Sequence, residues 1–284
     1  MRNSFCVSCI SGDVMGTIGK TNRMDDKAVS PIIAIMLILA ILVTSISVLA
    51  SNWFPIVKKR AEIQHNKELT DKFLSIVTVY STLNENRSSA MSIKLGGGDT
   101  FFSQTTTSST LSVNQSGWIN VSMECNDTSL LLTLKLFKVN LSIHNTLIPD
   151  QTFVFSEGGI KIFQYGKNIT RLEPDIDKSI EFRDGVLYLR VDNLTSEPQE
   201  VSGNGIAFLR FKSNLNPNSG LYKNCTGSIL VEDDVFNGEW DDVMIKLEEN
   251  NPTVFSFNQN TNTLQILTQI NVSLTIRDFD VQIQ

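Results

Sequence analysis

Apolar residues fill the chain from Ile32 to Ala50, 19 residues without a single charge. As a helix rising about 1.5 Å per residue, such a run covers the roughly 30 Å hydrocarbon core of a bilayer. Trp53 and Phe54 follow where an aromatic belt sits, and Lys58, Lys59 and Arg60 mark the return to water. The pattern then becomes amphipathic. Leu69, Phe73, Ile76, Val77, Tyr80 and Leu83 recur at three- and four-residue steps and predict one apolar helical stripe, with Lys58 to Lys72 supplying the solvated faces. Pro55 removes one helical hydrogen bond, which predicts a kink or interruption between the two parts.

From about Met91 the period shortens to two. Leu130 to Ile143, Val201, Ile206 to Phe211 and Val272 to Ile276 read as strands. Two hairpins are marked by their turns. Asp184-Gly185 predicts a type I′ turn that sets Phe182 opposite Leu187 and Ile180 opposite Leu189, and Glu157 to Gly159 separates Phe153 and Phe155 from Ile160 and Ile162. Turn signals every ten residues or so suggest a mainly antiparallel β-sandwich-like domain large enough for its own core. The expected class is therefore α+β and membrane-anchored: a long N-terminal hydrophobic helix followed by that domain.

The residues before the apolar run fix where its helix starts. Pro31 lacks an amide hydrogen, suits a first helical turn and pushes Ser30 toward extended geometry, which makes Ser30 a good N-cap. The bonds around Ala28 are then expected in extended, accessible chain next to the membrane. A buried core helix and a cleaved secretory signal, with its cut within Ser47 to Ser51, are the other readings of the same run.

Lys27-Ala28-Val29-Ser30-Pro31-Ile32-Ile33-Ala34, running into an unbroken aliphatic helix, resembles the N-terminus of archaeal type IV pilins and pilin-like proteins. The stretch Met91 to Phe102 more loosely resembles the first strands of such ectodomains. The resemblance implies a processing site at Lys27, Ala28, Val29, Ser30 and Pro31, where a prepilin peptidase cuts between Ala28 and Val29 on the cytoplasmic side and leaves the helix on the mature subunit. Bacterial pilins have glutamate at the fifth mature position; here it is Ile33, as the archaeal pattern allows. The expected organisation is a leader over 1–28, a transmembrane and assembly helix with its stem over 29–84, interrupted near Pro55, and an extracellular β-rich domain over 85–284.

Met15 and Met24 are alternative starts, so Cys6 and Cys9 need not be translated; as a lone Cys-x-x-Cys they do not predict zinc. Basic residues do not orient the helix. Lys20, Arg23 and Lys27 precede it with Asp25 and Asp26 among them, while Lys58, Lys59 and Arg60 follow it. The sequons Asn86, Asn114, Asn120, Asn126, Asn140, Asn168, Asn193, Asn224 and Asn271 all lie downstream, which favours an extracellular and glycosylated domain. Cys125 and Cys225 lie there too, either as a disulfide closing a loop worth on the order of 4–5 kcal/mol or as two reduced, buried thiols.

Catalytic patterns are sparse, and no enzyme activity, cofactor or metal is expected. The two histidines, His65 and His144, belong to no recognisable motif, and Gly96-Gly97-Gly98-Asp99 reads as a tight turn. Glu232, Asp233, Asp234, Asn237, Glu239, Asp241 and Asp242 read as a solvated acidic loop; their hard oxygens are of the kind that ligate calcium, but the spacing fits no EF-hand. Asp175/Asp177 or Asp241/Asp242 would be the carboxylates of an anchored glycan-processing enzyme. The chain carries a net charge of −6, and without residues 1–28, with four basic and three acidic groups, −7. Nucleic acid is therefore not an expected partner. Ala40, Thr44, Ser47 and Ser51 form a strip of small side chains that would let helices approach closely. Together these features predict a pilin-like subunit, minor or at the tip, that inserts by its helix and assembles into a cell-surface filament for adhesion. Its partners would be membrane lipid, prepilin peptidase and other pilin subunits. The alternative is a single-pass anchored adhesion or envelope protein that never polymerises.

Overall fold

The apolar run and the amphipathic stripe form one 52-residue helix, α1 (Pro31–Thr82), in a computed structural model that describes residues 31–83, 86–97, 107–126 and 128–284. Pro55 lies inside α1, which does not break there as the sequence predicts. Proline withholds one donor, at a cost of about 3 kcal/mol, and the turns on either side keep theirs. The chain divides into two compact units with the boundary between Asn52 and Trp53.

In the second unit α1 is followed by β1 (Arg87–Lys94), β2 (Ser108–Glu124), β3 (Ser129–His144), β4 (Gln151–Ser156), β5 (Gly159–Gln164) and β6 (Lys167–Leu172). Next come α2 (Ile176–Ser179), β7 (Ile180–Arg183), β8 (Val186–Leu194), β9 (Gln199–Gly203), β10 (Ile206–Leu215) and β11 (Gly220–Asp233). The chain ends in α3 (Asn237–Asn250), β12 (Phe255–Asn258) and β13 (Thr263–Ile283).

All 13 strands belong to one hydrogen-bonded, mainly antiparallel and branched network with the main order β1-β10-β13-β11-β2-β3-β4-β5-β6. The branching follows from strand length. One half of the 21-residue β13 pairs with β11 and β12 and the other with β10, while β8 joins it in the one parallel pairing among the described strands. Both marked hairpins form: the first has the expected register, Ile180 with Leu189 and Phe182 with Leu187, and the second pairs Phe153 with Ile162 and Phe155 with Ile160. Their turn residues are left-handed, Asp184 and Gly185 at φ 52° and 73°, Glu157 and Gly158 at 48° and 76°, as a type I′ turn requires.

Two apolar cores result. In one, the α1 stripe of Leu69, Phe73 and Ile76, with Leu83 just past the helix end, packs with Phe137, Phe153, Phe155 and Phe279. In the other, α2, α3 and the β7–β8 hairpin cover the other ends of β2, β3 and β13. Helix α3 departs from the acidic loop read in the sequence: Trp240, Val243, Met244 and Leu247, at helical spacing, are buried and leave the carboxylates on its solvated side.

Candidate functional site

The first-unit part of α1 is apolar on every face and exposed on every face. Ile32, Met36, Leu39 and Leu49 are 66, 68, 59 and 67% exposed. Among the described residues α1 is the one helix long and apolar enough to cross a membrane, and none of its apolar window is buried, unlike that of a core helix. The strip residues Ala40, Thr44, Ser47 and Ser51 lie on this segment. Thr44 Oγ1 donates to the carbonyls of Ala40 (2.9 Å) and Ile41 (3.0 Å), and Ser51 Oγ to that of Val48 (3.0 Å). Their hydroxyls are thus satisfied within the helix, as an apolar surrounding demands. Lys27, Ala28, Val29 and Ser30 lie outside the described residues, as do the rest of 1–28 and Gly98 to Phe102.

In the second unit the same helix is anchored by polar groups, where the sequence predicts solvated faces. Glu62, fully buried, accepts from three successive backbone amides of the β3–β4 loop: Thr146 (3.2 Å), Leu147 (2.9 Å) and Ile148 (3.2 Å). His65 and Asn66 are buried one turn on. Gly97 lies so close to His65 that a Cβ there would fall 2.2 Å from its Nδ1, which accounts for one glycine of the Gly96–Gly98 run.

At the C-terminal end of α1 sits a buried charged network. Arg277 of β13 donates Nε–H to Asp192 Oδ1 (2.6 Å) and a second N–H to Asp192 Oδ2, and its Nη1 reaches the carbonyl of Leu83 at 3.1 Å. Tyr80 of α1 donates its hydroxyl to the same Asp192 carboxylate. Burial works against the charge on Arg277, but the hydrogen bond and charge of Asp192 outweigh it and hold the guanidinium above its usual range. Glu157 faces this network from the β4–β5 turn. It is buried, left-handed, and has no partner for Oε1; burial, with Asp192 nearby, pushes its carboxyl well above the usual range. A cavity of about 230 Å³ opens here, lined by both charge signs, including Arg190, Asp175 and Lys178. Tyr80, Asp192 and Arg277 fasten the helix end to the sheet.

The remaining sequence candidates disperse. Cys125 and Cys225 are joined in a disulfide between the end of β2 and β11. In the acidic group, Asp233 accepts from the amides of Val235 and Phe236, Asp234 pairs with Lys138, Glu239 with Lys161 (3.0 Å), and Asp241 meets Asn237. Among the described residues no three His, Cys, Asp or Glu side chains are grouped to hold a metal. Asp175 pairs with Lys178 on the surface, and His144 faces Asp150 at 3.3 Å.

The sequons divide by exposure. Asn86, Asn126, Asn168 and Asn224 are exposed, while Asn114, Asn120, Asn140, Asn193 and Asn271 are half-buried. Asn193 is committed on both sides, its Nδ2 donating to Asp278 (2.7 Å) and its Oδ1 accepting from the Lys135 amide (2.9 Å). With a transferase acting on the folded chain, peptide mapping is expected to find glycans among the four exposed sites and none on Asn193. Sugar on Asn193 would contradict its bonds to Asp278 and Lys135. No family model, curated protein or solved structure matches the chain.

Proposed function

We propose that this chain is an archaeal type IV pilin-like subunit, inserted in the membrane by the N-terminal part of α1 and assembled through it into a surface filament that presents the β domain outside the cell. One observation carries the reading: a helix apolar and uncovered on all sides over Ile32 to Ala50 continues into a stretch fastened to a folded domain by Glu62, Tyr80 and Arg277. Such a surface needs a partner. Lipid covers it in the membrane; outside the membrane each large side chain left bare forfeits roughly 1.5–3 kcal/mol, and equivalent helices of neighbouring subunits are the apolar cover that a polymer supplies. The Lys27 to Ala34 motif supports removal of the leader before assembly.

Mass spectrometry of the mature N-terminus from membrane and sheared-surface fractions tests this. The expected result is Val29 at the terminus in both fractions. An intact leader confined to the membrane fraction would mean a plain anchor, and a terminus near Asn52 would mean a secreted domain; either overturns the reading.

A further inference from the structure

A cavity of about 530 Å³, within the usual range of small-molecule sites, opens in the second unit where β11 passes into α3. Its wall begins at an irregularity in β2, whose pairing with β3 slips between Gln115 and Gly117. Gly117 approaches β11 so tightly that a Cβ would fall 1.7 Å from the carbonyl oxygen of Glu232. The bulge leaves Trp118, opposite Glu232 in the register, 37% exposed at the cavity's edge. Asp233 turns the chain into α3 through its bonds to the next amides, and Asn262 of the β12–β13 turn donates to Asn237 at 3.0 Å, tying that turn to the first residue of the helix. Ser116 is 5% exposed and lines the same cavity. Its hydroxyl is enclosed by protein near the Asp233 carboxylate.

We infer that this cavity binds an uncharged hexopyranose unit of a surface glycan. An indole face is the natural platform for the C–H face of a sugar ring, being broad, apolar and weakly negative. Sugar hydroxyls both donate and accept, and the lining provides both: side-chain amides at Asn237, Asn260 and Asn262 and a carboxylate at Glu232. Charge sets the class. Glu232, Asp233 and Asp234 line the cavity with no basic residue among its lining side chains, and Lys138 neutralises Asp234 alone. Phosphorylated, sulfated or uronic sugars are therefore repelled. Such binding does not depend on polymerisation.

The test uses the full chain in a zwitterionic detergent without a sugar head group, made in a host that does not N-glycosylate, so that Asn120, two residues from Trp118, carries no sugar of its own. Methyl α-glucoside, methyl α-mannoside, methyl β-galactoside, N-acetylglucosamine and, as the anionic arm, glucuronic acid are titrated by saturation-transfer NMR. Saturable binding of at least one neutral sugar is expected, weakened at least roughly tenfold by Trp118→Ala and by Asn260→Ala, an exposed turn residue whose loss leaves the core intact. Absence of binding by all four neutral sugars, unchanged binding in Asn260→Ala or in a folded Trp118→Ala, or equal binding of glucuronic acid would overturn the assignment.

Discussion

Replacing Arg277 with methionine is expected to destabilise the β domain by about 3–5 kcal/mol, the range for breaking one side of a buried ion pair. For a domain of this size that is a fall in melting temperature on the order of 10 °C. The stem of the guanidinium is matched by methionine, so the loss isolates the charge. Asp192, 3% exposed, would keep the Tyr80 hydroxyl but lose both guanidinium donors, and the Leu83 carbonyl would lose its side-chain donor. Lysine cannot restore the forked geometry. The double variant Arg277→Met/Asp192→Leu removes both charges, and a large part of the stability should return because the Asp192 carboxylate is no longer buried without its guanidinium donors. Urea unfolding of the full chain in detergent measures both. A single variant within about 1 kcal/mol of wild type would show that the network does not fasten the helix end.

This network also marks the limit of what could be read from the sequence. Phe73, Ile76 and Leu83 were legible because an apolar stripe on a helix has to be covered, and the hairpins were legible because Asp184-Gly185 and Glu157-Gly158 tolerate the left-handed backbone that a two-residue turn needs. Arg277 and Asp192 were not. They are register partners in the parallel pair β8–β13, 85 residues apart, and nothing local to either strand announces the other. Glu62, His65 and Asn66 continue the heptad of Leu69 and Phe73 toward the N-terminus, but polar residues at buried positions read as a solvated face until the β3–β4 loop supplies amides for Glu62 to accept from. In α3 the spacing of Trp240, Val243, Met244 and Leu247 is helical, but the density of carboxylates around it is that of a solvated loop. The saccharide-sized cavity depends on a bulge, two turns and a helix start that only folding brings together.

Replacing Ala40 and Ser47 with phenylalanine is expected to abolish surface filaments while leaving membrane insertion intact. Insertion tolerates the change because phenylalanine is at least as favourable as the residues it replaces at the centre of a membrane helix. Assembly is sensitive to it because helices that meet through small residues approach closely, and a ring on each of two successive turns holds the axes apart. The Thr44 and Ser51 hydroxyls of the strip bond to their own backbone and are kept in the variant, so the substitution acts chiefly on close packing at Ala40 and Ser47. Leu42→Phe/Leu49→Phe makes the control. These two positions have the same seven-residue spacing on the opposite face of α1 and equally exposed side chains, 55 and 67%, so they alter bulk and hydropathy without touching the strip. Electron microscopy of sheared fractions, with membrane-fraction immunoblots for insertion, should show filaments in the control and none in the strip variant. Filaments of normal yield from the strip variant would mean that the helices do not pack through Ala40, Thr44, Ser47 and Ser51, and loss in both variants would mean that the whole circumference is in contact.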